Sequence, residues 1–518
     1  MTTYGVRLQP QVHHHLRRGI NLVADLIAPT LGPVTGFVAN QRFNHLAPEL
    51  LDDSGTIVRR IVQLEHQGVD VGAMIMRNMI WKISEDLGDC GATAAVIARA
   101  VFNEGYKLLQ AEATTYSELR AELNTALLQV EQYLREHTQA LCTEDQLAHV
   151  ALSAVDDFEL AQVLGEIAYL LGPDAYVHVE KHPARSIERI YLEGAHFPAQ
   201  VPASHFYTEN RRVILQNPCI VLIDEALKSD VQLQQLLRFM QDSQPMVLIT
   251  PNIEHKALNY LIANTNKQKV SLVQLKLTEI ERMQAYQDLQ LLTGATVIGE
   301  SRGYPINQVT GDYFGHVQRL EVNNEIVTIV SKQQNHAAVR DLVFQLRAIP
   351  HKTPAIQRRL ASLEGVLCRL WIGAASEIER DARLELAKRG VKIVSNAQRS
   401  GVIAGGGAEL YRAGLHLEHI LKQSVSRSIL QKALSAPLRQ LLENAGYENI
   451  GVISDKLKTQ KTVFDVRTAK ITGTSDLRIV DSAEGIIRAV RSAVSSALMA
   501  LSTDVIVHHR KPKVSMEP

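Results

Sequence analysis

The chain has 518 residues, 46% apolar and 21% charged, with 55 Lys+Arg against 55 Asp+Glu. That length exceeds what one hydrophobic core serves, so about two to four domains are expected. The balanced charge gives no support for nucleic acid or an anionic membrane as partner. The chain contains no 18-residue apolar run, and its opening MTTYGVRLQPQ lacks the apolar centre of a signal peptide, so no membrane partner and a cytoplasmic location are expected.

In chain order, 12–28 reads as an amphipathic helix that ends before PTLGPVTG, where Gly32-Pro33 and Gly36 mark a turn. The preceding His13-His14-His15 falls inside that helix. Its three rings point in different directions and make a poor chelate. LLDDSGTIVRRIVQL carries an acidic turn followed by β-branched residues. Residues 68–134 read as mainly helical, broken by the small-residue turn Gly88-Asp89-Cys90-Gly91-Ala92-Thr93. From about 150 the character changes. Strand-like runs such as CIVLIDEA and PMVLITP alternate with helical ones up to about 365, which predicts an α/β region with a largely parallel sheet. PAIQRRLASLEGV leads back to a strand in LCRLWIGAAS. Helix ERDARLELAKRGVKIVSNAQ, the turn GVIAGGGAEL and further helices follow, with a β-like VFDVRTAKIT before SAEGIIRAVRSAVSSALMAL. The similar helical style of both ends suggests one domain built from both termini. Four cysteines (Cys90, Cys142, Cys219, Cys368) without a CxxC pair point to a reducing compartment and no structural zinc.

Six segments, taken in this order over most of the chain, resemble the bacterial-type (group I) chaperonins: LRRGINLVADLIAPTLGP, GDCGATAAVIARAVFNEGYKLL, RMQAYQDLQLLTGATVI, WIGAASEIERDAR, GVIAGGGAEL and RIVDSAEGIIRAVRSAVSSALMAL. The resemblance implies a multidomain α/β chaperonin fold. It places a mainly helical equatorial domain at 1–135 and 400–518, a small intermediate domain at 136–192 and 368–399, and an α/β apical domain at 193–367, with Gly194 as hinge candidate. It also implies rings, ATP with Mg²⁺, non-native polypeptides as clients and a lid co-chaperonin as a candidate partner.

Carried over position by position, the nucleotide pocket falls on Thr30, Leu31, Gly32 and Pro33, on Gly88 through Thr93, on Gly405, Gly406 and Gly407, and on Ile479 and Asp481. Asp89 takes the place of the magnesium-holding carboxylate. Asp53 matches a second acidic position, with Asp52 open as an alternative. The departures weigh as much. The family loop Gly-Asp-Gly-Thr-Thr-Thr here reads Gly88-Asp89-Cys90-Gly91-Ala92-Thr93, and each lost hydrogen bond to a charged oxygen costs about 1.5–3 kcal/mol. The water-activating Asp falls on Arg389, which stays protonated and offers no acceptor. Glu385 stands one turn earlier, about 6 Å away by helix rise.

The client-gripping positions fall on Val201, His205, Phe206, Leu233, Leu236, Leu258, Ile262 and Ala263, expected to expose an apolar groove. The C-terminal HHRKPKVSMEP replaces the family's Gly-Met-rich tail. Two readings compete: an ATP-driven foldase, and an ATPase-deficient holdase or scaffold that associates with other chaperonin subunits. An unrelated α/β enzyme is disfavoured, because no GxSxG or GxxxxGK[ST] pattern stands out.

Overall fold

The computed structural model describes residues 5–34, 36–41, 48–64, 66–173, 175–208, 211–239, 244–264, 270–323, 325–332, 335–349, 353, 356, 359–360, 362–363, 366–421, 424–458, 462–473 and 479–508. Most of PAIQRRLASLEGV and of the C-terminal HHRKPKVSMEP lies outside the described residues. The chain forms two compact units, one from Met1–Pro173, Lys181–Ile187 and Ile372–Pro518, the other from Asp174–Glu180 and Glu188–Trp371.

The first unit joins both ends of the chain in one core. Helix Gln11–Ile27 buries Val12, Leu16, Ile20, Val23 and Ile27, an apolar stripe at helical spacing. It lies backbone to backbone on helix Gln67–Leu87, because Gly19 and Gly72 carry no side chain. A Cβ on Gly19 would stand 2.1 Å from the Val69 carbonyl oxygen, and one on Gly72 would stand 2.4 Å from that of Leu16. Helix Gly91–Gln110 packs between helices Ala483–Leu501 and Val425–Asn444, and Ile97, Phe102, Leu430, Ile487 and Val494 meet in that core. Strands Gly5–Leu8 and Val505–His508 pair antiparallel and tie the two ends together. Thr115 and Thr143 open their helices with reciprocal capping boxes. Helix Ser54–Arg60 holds the β-branched residues of LLDDSGTIVRR, since Asp53 caps it by accepting from the Thr56 N–H and so overrides their strand preference. The histidine run behaves as its spacing predicts. His13 bonds the Leu501 carbonyl at 2.9 Å, His15 meets Arg7 at 3.1 Å, and His14 is exposed.

The second unit is built on an eight-stranded sheet ordered Val297–Ile298, Cys219–Ile223, Met246–Thr250, Val270–Leu275, Ala195–Gln200, Ile326–Ser331, Gly315–Val322, Val213–Gln216. Only the first four run parallel; every remaining pair is antiparallel. The expectation of a largely parallel sheet is therefore corrected to a mixed one. Helical crossovers serve the parallel half, whereas the 315–322 and 326–331 strands are joined by a short hairpin connection. Gly315–Val322 also pairs with Cys219–Ile223, so six of these strands close into a ring around their core.

Candidate functional site

Four segments of the first unit carry the predicted pocket residues. After helix Gln11–Ile27 the chain makes a single 3-10 turn, Ala28–Thr30, in which the Thr30 hydroxyl donates to the Ile27 carbonyl at 2.8 Å. Asn444 holds this turn from outside, its side-chain amide donating to the Ala28 and Leu31 carbonyls at 2.8 Å each. Gly32 takes φ +98 against Leu441. Arg467, paired with both oxygens of Asp156, donates to the Pro33 carbonyl at 3.3 Å.

The second segment is the Gly88–Thr93 turn. Gly88 ends helix Gln67–Leu87 with φ 83, and Cys90 starts helix Gly91–Gln110 with φ 69. A non-glycine residue in that left-handed conformation costs about 1–2 kcal/mol, so Cys90 strains a position that suits glycine. No side chain caps this helix, which leaves its first N–H groups to face an anion. Helix Ala408–Ile420 likewise begins at Gly407 with no side-chain cap.

The third and fourth segments are strand-linked. Val402–Ala404 pairs with Val480–Ser482, with Ile403 opposite Asp481, and the Gly405 N–H donates to the Ile479 carbonyl at 2.9 Å. Gly406 and Gly407 follow at φ 63 and 73. A Cβ on Gly407 would stand 2.7 Å from the Leu438 nitrogen.

The carboxylates feel one another. Asp89 is open to solvent. The protein around it still strips enough hydration to push its carboxyl above the usual range; the Cys90 N–H and the Arg389 charge oppose that push, and Asp53 adds to it. Asp481 is raised to about 7 by burial and by the charge of Asp89. The Cys90 thiol is pushed up by burial, then by Asp89 and Asp481.

Helix Glu377–Ser400 lies across the turn. A Cβ on Gly88 would stand 2.9 Å from the Arg389 carbonyl oxygen, and Lys392 donates to the Glu85 carbonyl at 2.8 Å. From this helix Arg389 Nη1 donates to Asp53 Oδ1 at 2.8 Å, the two side chains being 29% and 19% exposed. The other oxygen, Asp53 Oδ2, accepts from the Thr56 N–H and hydroxyl at 2.8 and 2.7 Å. Both oxygens of Asp53 are thus committed. Asp52 is exposed. Glu385 is exposed and pairs with Lys388 at 2.9 Å, so it does not stand in for the missing carboxylate. Sequence reasoning passed over Lys392 and Asn396. Their spacing, three and seven residues after Arg389, is a polar stripe that would have marked the face turned to the Gly88 turn.

In the second unit, the expected client groove needs correction. Leu233 and Leu236 are fully buried, as is Phe206, and Val201 is 7% exposed. The shared face of Leu233 and Leu236 on helix Asp230–Leu237 is the inward one, packed in the core of the sheet unit. His205, Leu258 and Ile262 are half-buried, and Ala263 is exposed. Leu237, which sequence reasoning did not select, is half-buried and packs on the same core as Leu258 and Ile262, from two neighbouring helices, Asp230–Leu237 and His255–Asn264.

Residues 214–511, more than half of the chain, match the TCP-1/cpn60 chaperonin family. The chain belongs to that family. Its fold is similar to crystal structures of the chaperonin gp146 from the bacteriophage EL 2 (Pseudomonas aeruginosa) in the presence of ATP-BeFx. Crystal form I matches with TM-score 0.78 and form II with 0.73, each at 16% identity over 98% of this chain and 99% of that one. This chaperonin-family chain thus keeps the chaperonin multidomain fold. Among its described residues no helix is long and apolar enough to cross a membrane.

Proposed function

We propose that the chain is a ring-forming chaperonin subunit that binds non-native polypeptide, retains Mg-ATP weakly and hydrolyses it slowly or not at all. The Arg389–Asp53 ion pair carries this reading. Of the two acidic positions that would orient water, one is now a cation and the other is engaged by it.

The residues fit a magnesium nucleotide. Two uncapped helix starts and the glycine turns offer backbone N–H groups, and Asp89 is an open carboxylate. Asp89 would hold Mg²⁺. The 88–93 turn, with Thr30 to Pro33, would take the phosphates, and Gly405, Gly406, Ile479 and Asp481 the nucleoside. Bound Mg²⁺ supplies charge neutralisation to the phosphate chain. The chain's own residues then hold and orient it, and Arg389 adds positive charge without accepting a proton. The gp146 crystals with ATP-BeFx support a nucleotide in this fold.

In this reading 1–135 and 400–518 act as the equatorial domain, 136–192 and 368–399 as the intermediate one, and 193–367 as the apical one. Leu237, Leu258 and Ile262 offer the client, or a lid co-chaperonin, its apolar contact. Self-association is supported by two two-stranded ribbons in the first unit, the Gly5–Leu8/Val505–His508 pair and the Val38–Asn40/Glu49–Leu51 pair. Two-stranded ribbons are marginal alone, and these expose Val6, Leu8, Leu50, Val505 and Val507. Four free cysteines suit a reducing cytoplasm. The same ion pair favours a second reading, an ATPase-deficient holdase or scaffold working beside active chaperonin subunits.

The test is nucleotide binding measured beside steady-state phosphate release. Binding with little turnover is expected; brisk hydrolysis by the natural chain would overturn the reading.

A further inference from the structure

A cavity of about 450 Å³ opens in the first unit between helices Gln11–Ile27, Gly91–Gln110 and Val425–Asn444. Five cations line it: Arg17, Arg99, Lys107, Lys432 and Arg439. Its Lys107 end lies about 24 Å along the helix from the Gly91 start, and its Arg439 and Glu443 wall shares helix Val425–Asn444 with Leu438 and Leu441, which pack against Gly407 and Gly32.

The cations are not fully compensated. Lys107 and Lys432 share one carboxylate, Glu104, at 2.6 and 2.7 Å, and both hold its pKa down. Arg99 pairs with Asp25 and donates to the Gln440 side-chain oxygen. Among the described residues Arg17 has no carboxylate partner. Its Nε donates to the Asn103 side-chain oxygen at 3.0 Å, and its guanidinium lies 5.6 Å from the centre of the Tyr106 ring. Arg439 has no side-chain partner among the described residues, and Glu443 adds the only other lining carboxylate. An excess of two positive charges remains.

Arg17 is the informative member. It is half-buried and held in one orientation by Asn103 and Tyr106, yet meets no counter-charge among the described residues. A sheltered guanidinium without an anion is unfavourable, and a pre-oriented one binds phosphate oxygens well because its fork need not be ordered on binding. The volume suits a small ligand rather than a single ion.

We propose that this cavity binds an oligophosphate, either free or as the phosphate tail of a nucleotide. The inference does not depend on the glycine-turn site holding ATP.

The experiment is calorimetric titration of the full chain with inorganic tripolyphosphate at low ionic strength, repeated with ATP. Binding of tripolyphosphate is expected to weaken by about tenfold or more in Arg17→Ala and in Arg439→Glu, and to be unchanged in Lys256→Ala, an exposed cation of the second unit. Lys432→Ala, at an exposed position, gives a second readout if Arg17→Ala perturbs folding, which circular dichroism reports. Equal affinity for both ligands identifies the phosphate chain as what is read. Tighter binding of ATP, still sensitive to Arg439→Glu, identifies a nucleotide. Three results would overturn the proposal: no binding of tripolyphosphate at about 1 mM, binding that the Arg17 and Arg439 variants keep or that Lys256→Ala weakens as much, or charge variants that alter only sedimentation. The last would mean that the cavity faces another copy of the chain.

Discussion

Replacing Arg389 by Asp is expected to raise ATP turnover while costing little stability. The ion pair is 2.8 Å long and partly sheltered, with 29% and 19% side-chain exposure. A sheltered charge-assisted hydrogen bond contributes about 1.5–3 kcal/mol and a surface pair about 0.2–1, so this one contributes about 1–2 kcal/mol. Its loss does not orphan Asp53, whose second oxygen keeps the Thr56 N–H and hydroxyl. The expected drop in melting temperature is small, roughly 1–3 °C. The catalytic effect is larger. Asp is several atoms shorter than Arg, which leaves room for a water beside two carboxylates, and a positioned general base contributes about 10²–10⁴-fold. Phosphate release would be followed in the natural chain, in Arg389→Asp, and in Arg389→Asp with Ala92→Thr, each beside a nucleotide-binding measurement. An increase of about 100-fold supports the argument. Brisk hydrolysis by the natural chain, at a rate Arg389→Asp leaves unchanged, would refute it.

Asp481, raised to about 7, makes stability depend on pH. Between its ordinary value of 3.8 and about 7 the folded chain keeps a proton that the unfolded chain has released, so stability falls as pH rises through that window. After allowance for partial exposure the effect is about 1–2 kcal/mol. Asp481→Asn should therefore melt higher than the natural chain at pH 8 but not at pH 4, and equal melting at both would count against the shift. Gly407→Ala places a Cβ against the Leu438 backbone at φ 73, which should cost about 2–4 kcal/mol in thermal unfolding; an unchanged melting temperature would show that the turn relaxes. Leu258→Ser with Ile262→Ser should abolish suppression of a model client's aggregation with the fold intact, whereas Leu236→Ser should destabilise by about 2–5 kcal/mol because that side chain is fully buried. Undiminished suppression by the double variant would place the client contact elsewhere.

Local order in the chain was enough for the helices, the glycine turns and the style change between its middle and its ends. Caps such as Thr115 and Thr143 act within four residues, and apolar spacing shows that Leu233 and Leu236 share a face. Counted between the motifs of the chaperonin resemblance, the position where that family implies a carboxylate falls on Arg389. Spacing does not say which face of a short helix turns inward. That depends on the sheet beneath helix Asp230–Leu237, whose strands come from distant segments, and they buried the pair expected at the surface. Nor does sequence say what Arg389 touches. Asp53 lies 336 residues away, and only the packing of helix Glu377–Ser400 against the Gly88 turn brings the two together. The mixed sheet follows the same rule: strand propensity is local, but direction is decided by how each connection returns the chain.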